Sequence, residues 1–226
     1  MEYMATQPDN AFDIVITSPP YNLGGFSKQG KWAGAALANG YNSHNDDMPY
    51  HEYIKWQRRV ISELYRLISD KGAIYYNHKW RIQDGILDDR SAILKGFPVR
   101  QIIIWKRAGG MNFNDGYYVP TYEVIYMIAK PAFKLSKYGN RFGDVWEITQ
   151  DSDNDHPAPF PVNLPKRILQ TVDKGRVFDP FLGSGSSAIA AHYFGCEFVG
   201  CEIDKDYFDA AQDRFFHETS QIAMVM

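Results

Sequence analysis

The chain alternates between short apolar runs and longer stretches whose apolar residues recur at helical spacing. Phe12-Asp13-Ile14-Val15-Ile16 predicts a buried strand over 12–17, and Ala73-Ile74-Tyr75-Tyr76-Asn77 predicts another over 73–77. Between them, Tyr53, Ile54, Trp56, Val60, Ile61, Leu64, Leu67 and Ile68 share one stripe of a helix over 51–69, with Lys55, Arg58 and Arg59 on its polar side. Asp70-Lys71-Gly72 is the expected stop of that helix. Next come a predicted helix over 80–95 and strands over 99–106 and 122–129, close enough in sequence to pair antiparallel. A helix over 163–172, a strand over 176–179, a helix over 185–194 and a strand over 197–202 complete the series. A short helix within 1–10, ended by a Pro8-Asp9-Asn10 turn, precedes the first strand.

Strands alternating with helices imply an α/β fold of Rossmann-like type, with a mostly parallel sheet covered on both faces and one antiparallel hairpin strand. With 226 residues, a single catalytic domain over 1–226 is the expectation. Two stretches break the pattern. Residues 22–50 are rich in Gly and Asn and include Phe26, Trp32 and Tyr41, and residues 107–120 are Gly-rich. Loops of such length inside a compact domain are usually functional.

Composition narrows the class. Hydrophobic residues at 45% and charged residues at 23% suit a folded chain and exclude disorder. No apolar run approaches a membrane span, and the N-terminus has neither the basic start nor the apolar core of a secretory leader, so a cytoplasmic protein is expected. Cys196 and Cys201 lie five apart on one predicted strand and so face opposite ways, as two thiols rather than a bridge. The net charge of −3 hides a gradient: residues 51–107 carry twelve Lys and Arg against six Asp and Glu, whereas 1–50 and 108–226 are both acidic. A basic face can hold phosphates on a mildly acidic protein, although a solvated helix surface explains the same charges.

Two segments carry chemistry, each at the end of a predicted strand. Thr17-Ser18-Pro19-Pro20-Tyr21-Asn22 follows the first, and Phe178-Asp179-Pro180-Phe181-Leu182-Gly183-Ser184-Gly185-Ser186 closes the strand over 176–179. Both would emerge at the carboxyl edge of a parallel sheet, where open α/β folds place ligands. Gly183 and Gly185 open a helix whose free N–H groups suit an anion, and Glu202, about 20 residues on, can accept hydrogen bonds from ribose hydroxyls. The glycine spacing alone also admits a nicotinamide dinucleotide, since Ala188 is tolerated at the third position. The prolines decide between them. Two consecutive prolines make a rigid ledge with a free carbonyl on Pro19, beside the Ser18 hydroxyl and the flat face of Tyr21. Such a ledge suits an aromatic amino group, whose lone pair it would localise and aim at an electrophile such as a methyl sulfonium.

These motifs resemble the S-adenosylmethionine-dependent DNA amino-methyltransferases in their permuted, β-class arrangement. In that family a [DNS]-P-P-[YFW] motif precedes the cofactor motif, as Ser18-Pro19-Pro20-Tyr21 precedes Phe178 to Gly185 here. A third match is His156-Pro157-Ala158-Pro159-Phe160-Pro161, similar to the family segment around the methionine end of the cofactor. The resemblance implies that Ser18, Pro19, Pro20 and Tyr21 hold the target base. It assigns Phe160, Asp179, Phe181, Gly183, Gly185 and Ser186 to the cofactor and Glu202 to its ribose, with no metal. His78 and Trp80 are candidates for the same cleft, or for packing at a strand end.

The same resemblance implies double-stranded DNA as partner, a base swung out of the stack, and a homodimer as a candidate assembly. The family fold begins with a strand ahead of a helix like Glu2 to Thr6, so a sheet lacking that N-terminal edge strand is expected. Sequence recognition would fall on 22–50 and 107–120, with Lys28, Trp32, Asn112 and Asn114 as candidate contacts. Serine at the first motif position leans toward cytosine N4, whereas Asn22 after the Tyr is more familiar among adenine N6 enzymes. An RNA or protein methyltransferase, or a noncatalytic cofactor- or DNA-binding relic, is the competing reading.

Overall fold

The computed structural model describes residues 1–22, 47–83, 85–107, 114–150 and 160–223, with 220–223 by backbone alone. In chain order the elements are α1 (Glu2–Thr6), β1 (Phe12–Thr17), α2 (Tyr50–Leu67), β2 (Ile68–His78), β3 (Arg81–Gln83), β4 (Ile86–Asp88), α3 (Ser91–Leu94), β5 (Val99–Lys106) and β6 (Tyr122–Ala129). A 3₁₀ turn (Gly139–Arg141) leads to β7 (Val145–Glu147), then α4 (Asn163–Leu169), β8 (Arg176–Asp179), α5 (Ser186–Phe194), β9 (Glu197–Gly200) and α6 (Lys205–Ala223).

Seven strands form one sheet in the order β7-β5-β6-β2-β1-β8-β9, and β3 and β4 pair separately as a hairpin. Only β6 runs against its neighbours: it is antiparallel to both β2 and β5, while β1–β2, β1–β8, β8–β9 and β5–β7 are parallel. The strands alternate their side chains between two cores. Ala73, Tyr75, Ile125 and Met127 face one core, closed by Leu164 and Ile168 of α4 and Ile189 to Ala191 of α5. Ile74, Tyr76, Val124 and Tyr126 face the other, closed by Met4 of α1, Val60, Ile61 and Leu64 of α2, and Ile93 of α3. The thiols separate as their spacing requires, with Cys196 against the first core and Cys201 against the second. Among the described residues no helix is long and apolar enough to cross a membrane.

The departures from expectation have local causes. The helix α2 stops at Leu67, and Asp70 to Gly72 lie inside β2 rather than in a turn before it. The register with β1 slips between Phe12 and Ile14, and this places Phe12 on the same core as Val15. Gly72 is required there, since a Cβ would lie 2.8 Å from the Asp13 carbonyl oxygen. The expected helix over 80–95 is instead the β3–β4 hairpin followed by the one-turn α3. The reversal at Gly85, with φ of +75°, and the residues Ile86 and Leu87, left exposed, defeat a helical stripe. The irregular stretch after β6 contains β7, three residues that extend the sheet beyond β5. The helix α6 has no counterpart among the elements expected from sequence.

Candidate active site

The ledge and the glycine turn leave adjacent parallel strands, β1 and β8, and they touch. Thr17, the last residue of β1, donates from Oγ1 to Asp179 Oδ1 at 2.8 Å. The same carboxylate accepts from the Phe181 N–H at 3.0 Å and from Ser187 Oγ of α5 at 2.6 Å. Asp179 is therefore a junction between β1, β8 and α5. Its burial raises its pKa from 3.8 to about 6, against the hydrogen bonds that favour the anion.

The turn that follows is open at the helix end. The N-cap of α5 is Gly185, at φ of +80°, with no side-chain cap on the helix, so its leading N–H groups present a site for an anion. Arg214 of α6 reinforces this charge, donating from Nη1 to Ser184 Oγ, the Ser184 carbonyl and Ser186 Oγ at 3.0–3.1 Å. Glu202, just beyond β9, accepts the Gly183 N–H at 2.9 Å and the N–H groups of Ile203 and Asp204 at 2.9 and 3.1 Å. A carboxylate has about four lone-pair directions, so one remains for a ligand hydroxyl. Phe181 packs edge-on against Trp56 at 5.9 Å. Phe160 sets its ring edge-on to Trp105 of β5, with centroids 6.2 Å apart. His156 to Pro159 lie outside the described residues.

The ledge is held from behind. The Pro20 carbonyl accepts from Tyr53 Oη at 3.0 Å and Gln57 Nε2 at 3.2 Å. The Tyr21 carbonyl accepts from Arg90 at 3.2 Å and that of Asn22 from Arg81 at 2.7 Å. The Asn22 side chain clasps the Met48 backbone through both its amide atoms. Among the described residues no donor reaches the Pro19 carbonyl.

Behind Pro20 the bonds continue as a column. The Lys79 N–H donates to His78 Nδ1 at 2.8 Å, which leaves the ring proton on Nε2, donated to Tyr53 Oη at 2.7 Å. Gln57 also donates to Tyr53 Oη, and Tyr76 donates to Gln57 Oε1. Full burial lowers the His78 pKa to about 3, so the ring is neutral across the working range.

In front, the Tyr21 ring stacks on His78 with centroids 4.9 Å apart. Its hydroxyl lies 2.8 Å from Ser18 Oγ and donates to Glu123 Oε2 at 3.0 Å. Asn77 Nδ2 contacts Ser18 Oγ, Tyr21 Oη and Glu123 Oε2, and Arg107 pairs with Glu123 Oε1 at 3.2 Å. His78 thus braces the ledge, whereas Trp80 is packing, bonded to Tyr126 Oη and set edge-on to Tyr122. Asn114 closes a local turn onto the Gly116 N–H. Lys28, Trp32 and Asn112, with residues 23–46 and 108–113 as a whole, lie outside the described residues.

Sequence reading missed Tyr53, Gln57, Asn77, Glu123 and Arg214. Two left a signal: Gln57 is a polar residue on the apolar stripe of α2, and Glu123 is the lone charge in the run Tyr122–Ala129.

The architecture is that of the α/β methyltransferases. The chain superposes on the PvuII cytosine-N4-specific DNA methyltransferase with a TM-score of 0.74, covering 95% of this chain and 83% of that one at 16% identity. On M1.HpyAVI in complex with S-adenosylmethionine the TM-score is 0.64, covering 94% and 92% at 22% identity. The chain belongs to the N6/N4 DNA methylase family, whose sequence model matches residues 12–213. Its relatives include the type II methyltransferases M.BglII of Bacillus subtilis, 26% identical over 93% of this chain, and M.ScaI of Streptomyces caespitosus, 23% identical over 98%. This chain spans 65% of the length of the first and 81% of the second.

Proposed function

We propose that this chain transfers a methyl group from S-adenosylmethionine to the exocyclic amino group of a base swung out of double-stranded DNA. The observation that carries this is the Pro19 carbonyl, unclaimed among the described residues, beside Ser18 Oγ on a ledge tied through Thr17 to the glycine turn. The residues fit the cofactor. The uncapped start of α5 and Arg214 suit its carboxylate, Glu202 keeps one acceptor direction for a ribose hydroxyl, and the buried Asp179 carboxylate suits a nearby positive charge. Phe181, Gly183, Gly185 and Ser186 complete the cofactor surface. When bound, S-adenosylmethionine supplies a methyl group on a positively charged sulfonium.

The chain's own residues do the rest. Ser18 Oγ and the Pro19 carbonyl accept the two amine protons, Pro20 keeps the ledge rigid, and the Tyr21 ring stacks the base. These bonds draw the nitrogen lone pair out of conjugation and fix its direction, a gain in orientation and preorganised electrostatics. Serine at position 18 favours cytosine N4 over adenine N6. Residues 22–50 and 107–120 take the recognition role, with a homodimer as the assembly that presents a second copy's loops to one duplex. The protein acts in the cytoplasm.

Incubation with methyl-labelled S-adenosylmethionine and equal amounts of duplex DNA, RNA of the same sequence, and protein tests this reading. Label entering the DNA alone supports it. Label entering only RNA or protein, or none at all, overturns it.

A further inference from the structure

Transfer to an amine leaves one proton too many on nitrogen, and the structure holds a path for it. Ser18 Oγ lies 2.8 Å from Tyr21 Oη, which lies 3.0 Å from Glu123 Oε2. The direction of the path follows from its end: Glu123 is a carboxylate paired with Arg107 at 3.2 Å, so Tyr21 donates to it, and Ser18 in turn donates to Tyr21. Each lone pair on Ser18 that remains then faces the substrate side or Asn77 Nδ2, at 3.2 Å. Both hydroxyl protons point the same way, from the ledge toward Glu123. The second Glu123 bond, from Asn77 Nδ2 at 2.9 Å, keeps the carboxylate from turning away.

We infer that Glu123 is the terminal proton acceptor of the reaction, reached through the hydroxyls of Ser18 and Tyr21. The inference rests on the methyl-transfer reading above. As the nitrogen–carbon bond forms and the carbon–sulfur bond breaks, the sulfur keeps the electron pair and the nitrogen becomes positive. One amine proton passes to Ser18 Oγ, the Ser18 proton to Tyr21 Oη, and the Tyr21 proton to Glu123 Oε2. The product amine is neutral, both hydroxyls are restored, and Glu123 is a carboxylic acid until it loses the proton to solvent. Tyr21 thus has two separable parts: a ring that stacks and a hydroxyl that relays. A carboxylate facing the developing charge through two short bonds also stabilises it electrostatically while the methyl group is in flight.

The test is single-turnover methylation of duplex DNA by the wild type, Tyr21→Phe, Glu123→Gln and the double variant, with the Michaelis constant for DNA and the cofactor dissociation constant measured for each. Tyr21→Phe keeps the ring and its stacking, so binding constants stay within about twofold, while the rate falls on the order of 100-fold, the usual scale of a lost general base. Glu123→Gln falls by a like factor. Because both changes interrupt one path, the double variant is no slower than the slower single one. The wild-type rate is reduced in deuterium oxide, and that isotope effect is lost in both single variants.

A wild-type rate in Tyr21→Phe, or losses that multiply in the double variant, overturns the relay while the methyltransferase reading stands. Reduced rates explained wholly by weaker DNA or cofactor binding overturn it too, as a structural role. An inactive wild type overturns both. Should Glu123→Gln fail to fold, the half-buried Tyr21→Phe decides alone.

Discussion

Asp179→Asn offers a quantitative test of the junction between the ledge and the glycine turn. Asparagine is nearly isosteric and fits the donors: its Oδ1 keeps Thr17 Oγ1 and the Phe181 N–H, and its Nδ2 can donate to Ser187 Oγ, which turns acceptor. What changes is the titration. In the folded chain the Asp179 pKa is raised from 3.8 to about 6. Between these values the folded state holds a proton that the unfolded state has released. The wild type therefore loses stability as pH rises through this window, and is flat with respect to Asp179 above it. A shift of about two units at about 1.4 kcal/mol each amounts to roughly 3 kcal/mol. His78 works in the opposite sense, its folded pKa of about 3 making stability fall as pH drops below 6.5, but it is present in both proteins and cancels on subtraction. Urea unfolding of both proteins from about pH 4 to about pH 8, followed by tryptophan fluorescence, gives the difference curve. It should rise in favour of the Asp179→Asn variant by about 1.4 kcal/mol per pH unit up to about pH 6 and then level off. A difference independent of pH, or one of opposite slope, refutes the reading of Asp179 as a buried carboxylate whose desolvation outweighs its hydrogen bonds.

The remaining predictions concern the site. Tyr53→Phe removes a donor from the Pro20 carbonyl and the acceptor of His78; stability should fall by about 1–3 kcal/mol, read by urea unfolding, and methylation should slow with cofactor affinity unchanged. Gly185→Ala forces a Cβ to within 3.3 Å of Ala211 at φ of +80°, costing about 1–2 kcal/mol in the same assay, and calorimetry should find weaker cofactor binding. Tyr21→Ala removes the stacking face and should slow transfer while leaving cofactor affinity intact, whereas Asp179→Ala should chiefly weaken the cofactor; equal affinities and equal rates in these two variants would defeat both assignments.

What sequence could reveal followed from burial. The strands 99–106, 122–129 and 176–179 match β5, β6 and β8 residue for residue. Each centres on an apolar run, which the sheet buries almost wholly in β6 and β8 and at Ile103 and Trp105 in β5. The ledge and the glycine turn were legible because prolines and glycines constrain backbone directly. The β3–β4 hairpin was not, since its Ile86 and Leu87 are exposed and mimic a helical stripe. The column behind Pro20 was hidden for a different reason. Tyr53, Tyr76 and His78 look like core residues, and only tertiary packing shows that His78 and Tyr76 connect to the Pro20 carbonyl through Tyr53 and Gln57. Glu123 and Asn77 meet across neighbouring strands, β6 and β2, whose register no local pattern records.

The most direct test of the central claim is mass spectrometry of nucleosides from duplex DNA treated with this protein and S-adenosylmethionine. An exocyclic amine held by Ser18 and Pro19 predicts methyl on an exocyclic nitrogen, as N4-methylcytosine or N6-methyladenine. Methylation at a ring carbon of cytosine, or DNA recovered with no methylated nucleoside, contradicts the account.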